Sequence, residues 1–208
     1  SLTSTCPTFW IRALVDRLRG EQQAQRLVEQ GPDYLALAMQ LIAPAKPALL
    51  ITHGLSGSGK SHVSSQVLME AGAVRLRSDV IRRAMLGAGH YDQAATEATY
   101  ARLLELAQMA LANGYPVIVD ATFLKAEERA RFRQVAADKR VPFAIMHCHA
   151  PMAQLQARIE QRQAQGGDPS EADFAVLAAQ AKVGDTLLPS EAAETLDVDA
   201  SRPWMAAD

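Results

Sequence analysis

The chain has 208 residues, 49% hydrophobic and 21% charged, with a formal net charge of −2 at pH 7. This length suits one domain with a full core and a short appendage, and the mild acidity argues against a general polyanion binder, leaving nucleic acid only a local basic groove. Cys6 and Cys148 are the only cysteines, so a reducing cytoplasm fits better than a disulfide framework; no apolar run approaches the roughly 18 residues of a membrane span, and no basic region before an apolar core marks a signal peptide.

Residues 1–46 read as a helical appendage. Phe9, Trp10, Leu14, Leu18, Leu27 and Val28 fall near helical spacing over 7–31, and Gly31-Pro32 stops that helix. Asp33 can cap a second helix over 34–43. Its apolar face is expected to pack on the rest of the chain or on a partner. Pro44 and Pro47 then break the chain before the main domain, 47–208.

That domain opens with an apolar strand, Leu49 to Ile51, running into Gly54-Leu-Ser-Gly-Ser-Gly59-Lys60-Ser61. The spacing fits the phosphate-binding loop G-x-x-x-x-G-K-[ST]. Each part has a chemical reason. Gly54, Gly57 and Gly59, with Ser56 and Ser58 between them, let successive backbone N–H groups turn toward phosphate oxygens where a Cβ would clash. A helix starting near Lys60 adds the positive end of its dipole. Lys60 can reach the β- and γ-phosphates, Ser61 can hold Mg²⁺, and His62 comes next in the chain.

Helix and strand alternate from there. Helices are expected over 60–71, 80–86 behind a Ser78-Asp79 cap, 93–113, 125–139, 151–165 and 170–181. Strands are expected over 73–77, 116–120, 141–147 and 195–199. This alternation implies a parallel sheet between layers of helices, with ligands at the carboxyl ends of its strands.

The strand ends carry the candidate chemistry. Asp79 and Arg82 share a helix face after the second strand. Asp79 can accept the proton of an attacking hydroxyl and Arg82 can hold an anionic part of the acceptor, or the two form a plain capped ion pair. Asp120 closes an apolar strand where a carboxylate would hold Mg²⁺. Thr122 can contact the acceptor or only its local backbone. Arg129, Arg131 and Arg133 follow on the next helix; a solvated face explains most of them, and Arg129, nearest the strand end, is the candidate for acceptor binding. Arg158 and Arg162, four apart, precede Gly166-Gly167-Asp168-Pro169, the combination a closing lid needs. His147 and His149 lack an evident third ligand and read as core or strand-end histidines. His90 and Tyr91 can line the acceptor site.

With these segments in view, residues 48–200 resemble P-loop kinases of the "predicted kinase / AAA domain" type, relatives of polynucleotide 5′-hydroxyl kinases, chloramphenicol phosphotransferase, gluconate kinases and zeta toxins. The resemblance rests on 52–61, Arg77-Ser-Asp-Val-Ile-Arg82, Val117-Ile-Val-Asp-Ala-Thr-Phe-Leu124 and the arginine helix with 166–173. It extends to the ATP-binding half of two-part bacterial proteins in which an aminoglycoside-phosphotransferase-like domain comes first, so 1–46 would be the helical tail of an upstream domain.

The resemblance implies a three-layer α/β sandwich with a five-stranded parallel sheet, order 2-3-1-4-5, and a helical lid. It implies Asp79 as general base, Arg82 as acceptor arginine, Lys60 and Ser61 on phosphate and Mg²⁺, and Arg158 and Arg162 in the lid. His62 stands where Thr is usual, which leaves one α-phosphate contact in question, and the acceptor motif of gluconate kinases is missing after Arg82. The expected activity is ATP- and Mg²⁺-dependent phosphoryl transfer to a hydroxyl of a small molecule. A nucleic-acid 5′-hydroxyl kinase and a nucleotide-binding switch or ATPase module without its own acceptor remain as alternatives.

Overall fold

The computed structural model describes residues 46–165 and 172–201. The helices expected over 7–31 and 34–43, and the break at 166–169, lie outside the described residues. The elements are β1 (Leu49–His53), α1 (Lys60–Ala71), β2 (Val74–Arg77), α2 (Ser78–Leu86), α3 (Gln93–Ala112), β3 (Val117–Asp120), α4 (Ala126–Lys139), β4 (Phe143–His149), α5 (Met152–Gln165), α6 (Phe174–Val183), a 3₁₀ turn (Pro189–Glu194) and β5 (Thr195–Asp199).

The five strands form one sheet in the order β2-β3-β1-β4-β5, and each neighbouring pair is parallel. Both the order and the parallel sense match the expectation. Parallel strands need crossover connections, and the intervening helices cover both faces. Val117–Asp120 is buried at every position, which is why it reads as an unbroken apolar run rather than an alternating one.

Alternation on the strands divides the core in two. Leu49, Ile51, Val117, Val119 and Ile145 face Leu103, Ala107 and Leu111 of α3 and Phe132, Val135 and Ala136 of α4. Ile118, Met146, Cys148 and Val198 face Val63 and Val67 of α1 on the opposite side. A third group, Leu155, Ile159 and Leu177, joins α5 to α6. Burying these side chains contributes about 1.5–3 kcal/mol each before entropy is counted.

Several boundaries differ from the periodicity. β4 begins at Phe143 instead of 141, because Arg140 adopts a left-handed φ of 53° and the Val141 N–H closes on the Ala136 carbonyl at 2.9 Å, a helix C-terminal turn. It runs on to His149 because Cys148 and His149 pair with Val198 and Asp199. α6 begins at Phe174, four residues later than expected, where the Asp173 carboxylate accepts the Val176 N–H at 2.9 Å. α2 begins at Ser78 with no side-chain cap, so Asp79 lies in the first helical turn instead of before it.

Candidate active site

The loop between β1 and α1 passes under two other elements. Gly54 has φ 139°, and a Cβ there would lie 2.2 Å from the Cys148 carbonyl oxygen. At Gly57, φ 80°, a Cβ would meet the Leu155 carbonyl at 2.7 Å. Both positions therefore demand glycine for backbone angle and for space. The Gly54 N–H donates to the Thr122 carbonyl at 3.1 Å. Thr52 Oγ1 donates to the Ala121 carbonyl at 2.6 Å and accepts the Ala121 N–H at 3.1 Å. These bonds lock the end of β1, and with it the loop, to the end of β3.

Lys60 opens α1 and is buried. Its ammonium lies across the loop, donating to the Leu55 carbonyl at 2.6 Å and the Ser58 hydroxyl at 3.4 Å. Burial pushes its pKa down, Asp120 and Asp79 oppose that, and Arg162 adds to it. The charges of β3, α2 and α5 thus meet at one ammonium, although they come from distant parts of the chain. His62 is solvent-exposed at the start of α1, with its N–H on the Gly59 carbonyl at 3.0 Å.

Asp120 is buried and heavily engaged. Its Oδ2 accepts from Ser61 Oγ at 2.9 Å and Ser64 Oγ at 3.2 Å, and the Arg75 guanidinium donates to the same oxygen. Arg77 stands 3.8 Å away. The pairing Arg77↔Asp120 in the β2–β3 register puts these arginines beside the carboxylate. The Ser61 hydroxyl and the Asp120 carboxylate are adjacent hard oxygen donors, a set that fits a small divalent cation. Arg75, not singled out in the sequence, fixes this carboxylate and also donates to the Ser61 carbonyl at 3.0 Å.

Across the loop, Asp79 Oδ1 accepts from Arg82 at 3.2 Å, and the Arg82 guanidinium lies 4.6 Å over the Tyr91 ring. Tyr91 thereby joins Asp79 and Arg82, while His90 is exposed. Arg82 is buried, and its Nε has no partner among the described residues. Thr122 Oγ1 lies 3.4 Å from the Tyr100 hydroxyl, which in turn accepts the Phe123 N–H at 2.9 Å. Phe123 has φ 48°, a conformation that costs an aromatic residue on the order of 1–3 kcal/mol. Edge-on packing between Tyr100 and Phe132 holds it there.

α5 and α6 lie against the outer side of the loop. Arg158 donates to the Gly57 carbonyl at 3.2 Å and to the Ala200 carbonyl. Arg162 donates to the Ala172 carbonyl at 2.7 Å. Gln180 of α6, which the sequence reading passed over, accepts the Ser56 N–H at 2.9 Å. A loop amide of the phosphate-binding type is thus held by a side chain of α6, and no motif announces it.

Arg129 differs from the expected acceptor-binding role. It is 1% exposed and holds Glu191 through two bonds, Nε–Oε1 at 2.8 Å and Nη2–Oε2 at 2.9 Å, with further bonds to the Phe123 and Thr186 carbonyls. Its donors are spent inside the protein, so it clamps the chain after β3 to the turn before β5 and is not free to bind an acceptor. Burial raises the Glu191 pKa, but bonding to Arg129 and the Leu188 N–H outweighs it and holds the carboxyl below its usual range. The pair's stabilisation is therefore full at neutral pH and falls away as acid protonates Glu191. Arg129→Ala strands a buried carboxylate and is expected to cost about 3–5 kcal/mol, a fall in melting temperature of roughly 6–20 °C. Thermal unfolding measures it; a change under about 2 °C would show the clamp to be unimportant. Arg131 and Arg133 form exposed pairs with Glu127 and Glu194, as a solvated face implies.

His53, also passed over, pairs with His147 through their Nδ1 atoms at 2.7 Å, so one ring donates and the other accepts. Burial first, then His147, pushes the His53 pKa down to about 4. His149 contacts Asp197 at 3.1 Å. Among the described residues no group of His, Cys, Asp and Glu has the arrangement of a metal site.

Residues 49–187 match the family model described as an AAA domain, AAA_33. The chain is 28% identical over 188 residues to uncharacterized proteins of Mycobacterium tuberculosis and Mycobacterium bovis, in alignments covering 85% of this chain and 38% of theirs; it spans about two fifths of the length of these curated relatives. Its fold matches the crystal structure of a sugar kinase from Janibacter sp. HTCC2649 with a TM-score of 0.58 at 20% identity, over 76% of this chain and 87% of that one. It matches a gluconokinase from Sinorhizobium meliloti 1021 with a TM-score of 0.57 at 23% identity, over 76% and 85%. At these identities the likeness is one of fold.

Proposed function

The chain belongs to the AAA domain family AAA_33, a group of P-loop kinase domains, and from that premise we propose that it transfers the γ-phosphoryl group of ATP to a hydroxyl of a small molecule. The observation that supports this reading is the Asp79–Arg82 ion pair near the start of α2, whose carboxylate charge is felt at the buried Lys60 ammonium. A nucleotide switch needs the loop and Asp120 only; a paired carboxylate and arginine facing the same space give an acceptor somewhere to bind.

In the proposed reaction the acceptor oxygen forms a bond to the γ-phosphorus as the bond from that phosphorus to the β-bridging oxygen breaks, leaving ADP. The acceptor proton goes to Asp79. Arg82 orients the acceptor, with Tyr91 against its guanidinium and Thr122 at the neighbouring strand end. Lys60 and the loop amides of Gly57 and of Gly59 to Ser61 stabilise the charge spreading over the phosphoryl oxygens. Arg158 and Arg162 add positive charge from the lid side. Ser61 and Asp120 would hold Mg²⁺, which neutralises phosphate charge when bound. No helix among the described residues is long and apolar enough to cross a membrane.

The test is a transfer screen with radiolabelled ATP, and with GTP, over sugars, aminosugars, antibiotics, nucleosides and 5′-hydroxyl oligonucleotides. The expected result is label on one small-molecule class, with turnover at least about tenfold above nucleotide hydrolysis in water alone. Label confined to oligonucleotides would replace the small-molecule reading with end phosphorylation. Acceptor-independent hydrolysis across the whole set would favour an ATPase module.

A further inference from the structure

Arg75 of β2 spreads its donors over three groups. Its Nη1 donates to Ser65 Oγ at 2.7 Å, and its Nη2 donates to the Ser61 carbonyl at 3.0 Å and to Asp120 Oδ2. Ser61 and Asp120 are the residues that would hold Mg²⁺. One guanidinium therefore touches both halves of that site, the serine and the carboxylate.

The carboxylate is already heavily used. Oδ2 accepts from Ser61 Oγ at 2.9 Å, from Ser64 Oγ at 3.2 Å and from Arg75. A carboxylate oxygen offers about two lone pairs, so Oδ2 has none to spare for a metal. Arg77 Nε stands 3.8 Å from the same oxygen, and the Lys60 ammonium also feels the Asp120 charge. Asp79 is the other carboxylate felt at Lys60, and it is paired with Arg82 at 3.2 Å. Among the described residues, three cations thus face one buried carboxylate. A dication arriving alone meets more positive than negative charge there. Nucleotide phosphates reverse that sign, because they bring several negative charges to the loop.

We propose that Arg75 is a positioning residue that neutralises Asp120, so that Ser61 and Asp120 accept a divalent cation only together with nucleotide phosphates. This rests on the assignment of Mg²⁺ to Ser61 and Asp120 proposed above. The Ser61 hydroxyl gives its proton to Asp120 Oδ2 and keeps its own lone pairs. Arg75 holds that arrangement from the other side. The free chain then has little affinity for a divalent metal ion and takes one up as a metal–nucleotide complex. An ion pair that served the fold alone predicts the opposite response to its loss. Loosening the site would weaken metal binding, whereas removing a neutralising charge strengthens it.

The experiment titrates the nucleotide-free full chain with Mn²⁺, a paramagnetic stand-in for Mg²⁺, by electron paramagnetic resonance. Up to about 1 mM the parent should show no site that Asp120→Asn removes. Arg75→Met should gain such a site, tighter by about tenfold or more than any in the parent. Arg75→Met combined with Asp120→Asn should lose it again; this variant removes both partners of a buried pair, which a fold tolerates better than the loss of one. Arg75→Lys keeps the charge and should behave like the parent. Calorimetric titration with ADP, with and without Mg²⁺, checks the site itself: Asp120→Asn should reduce the gain in ADP affinity that Mg²⁺ brings.

An Asp120-dependent Mn²⁺ site in the parent would overturn the proposal even where Arg75→Met fails to fold. Unchanged or weaker Mn²⁺ binding in folded Arg75→Met would overturn it too, as would an equal gain in Arg75→Lys. If Asp120→Asn leaves the Mg²⁺ effect on ADP unchanged, the metal assignment falls and the proposal falls with it. If that effect responds to Asp120→Asn while the Arg75 variants fail these expectations, only the role of Arg75 is removed.

Discussion

Asp79→Asn is expected to leave ATP binding within about twofold of the parent while lowering phosphoryl transfer by about 10²–10⁴-fold, the span that general-base catalysis supplies. The substitution removes a charge and a proton acceptor but little shape. Asn keeps an oxygen that can accept from Arg82, whose bond to Asp79 Oδ1 is 3.2 Å, so Arg82 stays in place. Asp79 is only partly buried in the first turn of α2, and a neutral amide there loses a favourable dipole interaction worth about 0.3–1 kcal/mol. The fold therefore survives, and the effect separates into a fall in kcat with the KM for ATP nearly constant. The measurement pairs calorimetric ATP titration with single-turnover transfer to the acceptor found by screening. Full transfer by the Asn variant would remove Asp79 from the role of base and leave it as the partner that holds Arg82.

Lys60→Ala is expected to lower transfer by about 10²–10³-fold, comparable to the loss of one preorganised electrostatic donor, and to weaken ATP binding as well. It differs from Asp79→Asn in that both quantities fall, because the ammonium meets phosphate charge in the ground state and in the transition state. The folded chain should tolerate the change. Lys60 is a buried cation that, among the described residues, donates to the Leu55 carbonyl and the Ser58 hydroxyl, and removing a buried charge also removes its desolvation cost. Lys60→Arg should not rescue activity, since the planar fork is bulkier than an ammonium and the loop closes tightly over it. Circular dichroism establishes folding and transfer kinetics establish the loss; retention of more than about a tenth of parental transfer would show that the loop amides carry the charge stabilisation without the lysine.

The donor loop and the sheet were readable in the one-dimensional chain because both depend on local rules. Gly54 must accept φ 139° with the Cys148 carbonyl directly beside it, and Lys60 and Ser61 must open the following helix. Those demands restrict residue type at fixed spacing, and a spacing can be read. The strand order follows from alternating apolar strands and helices together with the family resemblance. Asp79, Arg82 and Asp120 were singled out by position: Asp120 ends β3 and the other two lie in the helix that follows β2, on the side where an α/β fold collects its chemistry.

Tertiary structure decided which charged side chains face the site and which are spent elsewhere. Arg129 and Arg82 are both buried arginines, yet one is saturated by Glu191, 62 positions away, and the other lies beside Tyr91 and Asp79. Helical periodicity tells which residues share a face, not what the face meets. Arg75 reaches Asp120 only because β2 pairs with β3 in one register, and Gln180 reaches the Ser56 amide only because α6 folds back over the loop. His53 meets His147 through the register of β1 against β4. Glu128 reads in the sequence as an ordinary first-turn carboxylate, and only packing against α3 leaves its Oε2 sealed and unpaired. By itself the sequence determined the phosphate loop, the parallel α/β plan and the carboxylates at its strand ends, because backbone sterics and hydrophobic period act over a few residues. The partners of each charge were decided by long-range packing, because desolvation and hydrogen bonding depend on what arrives from the far end of the chain.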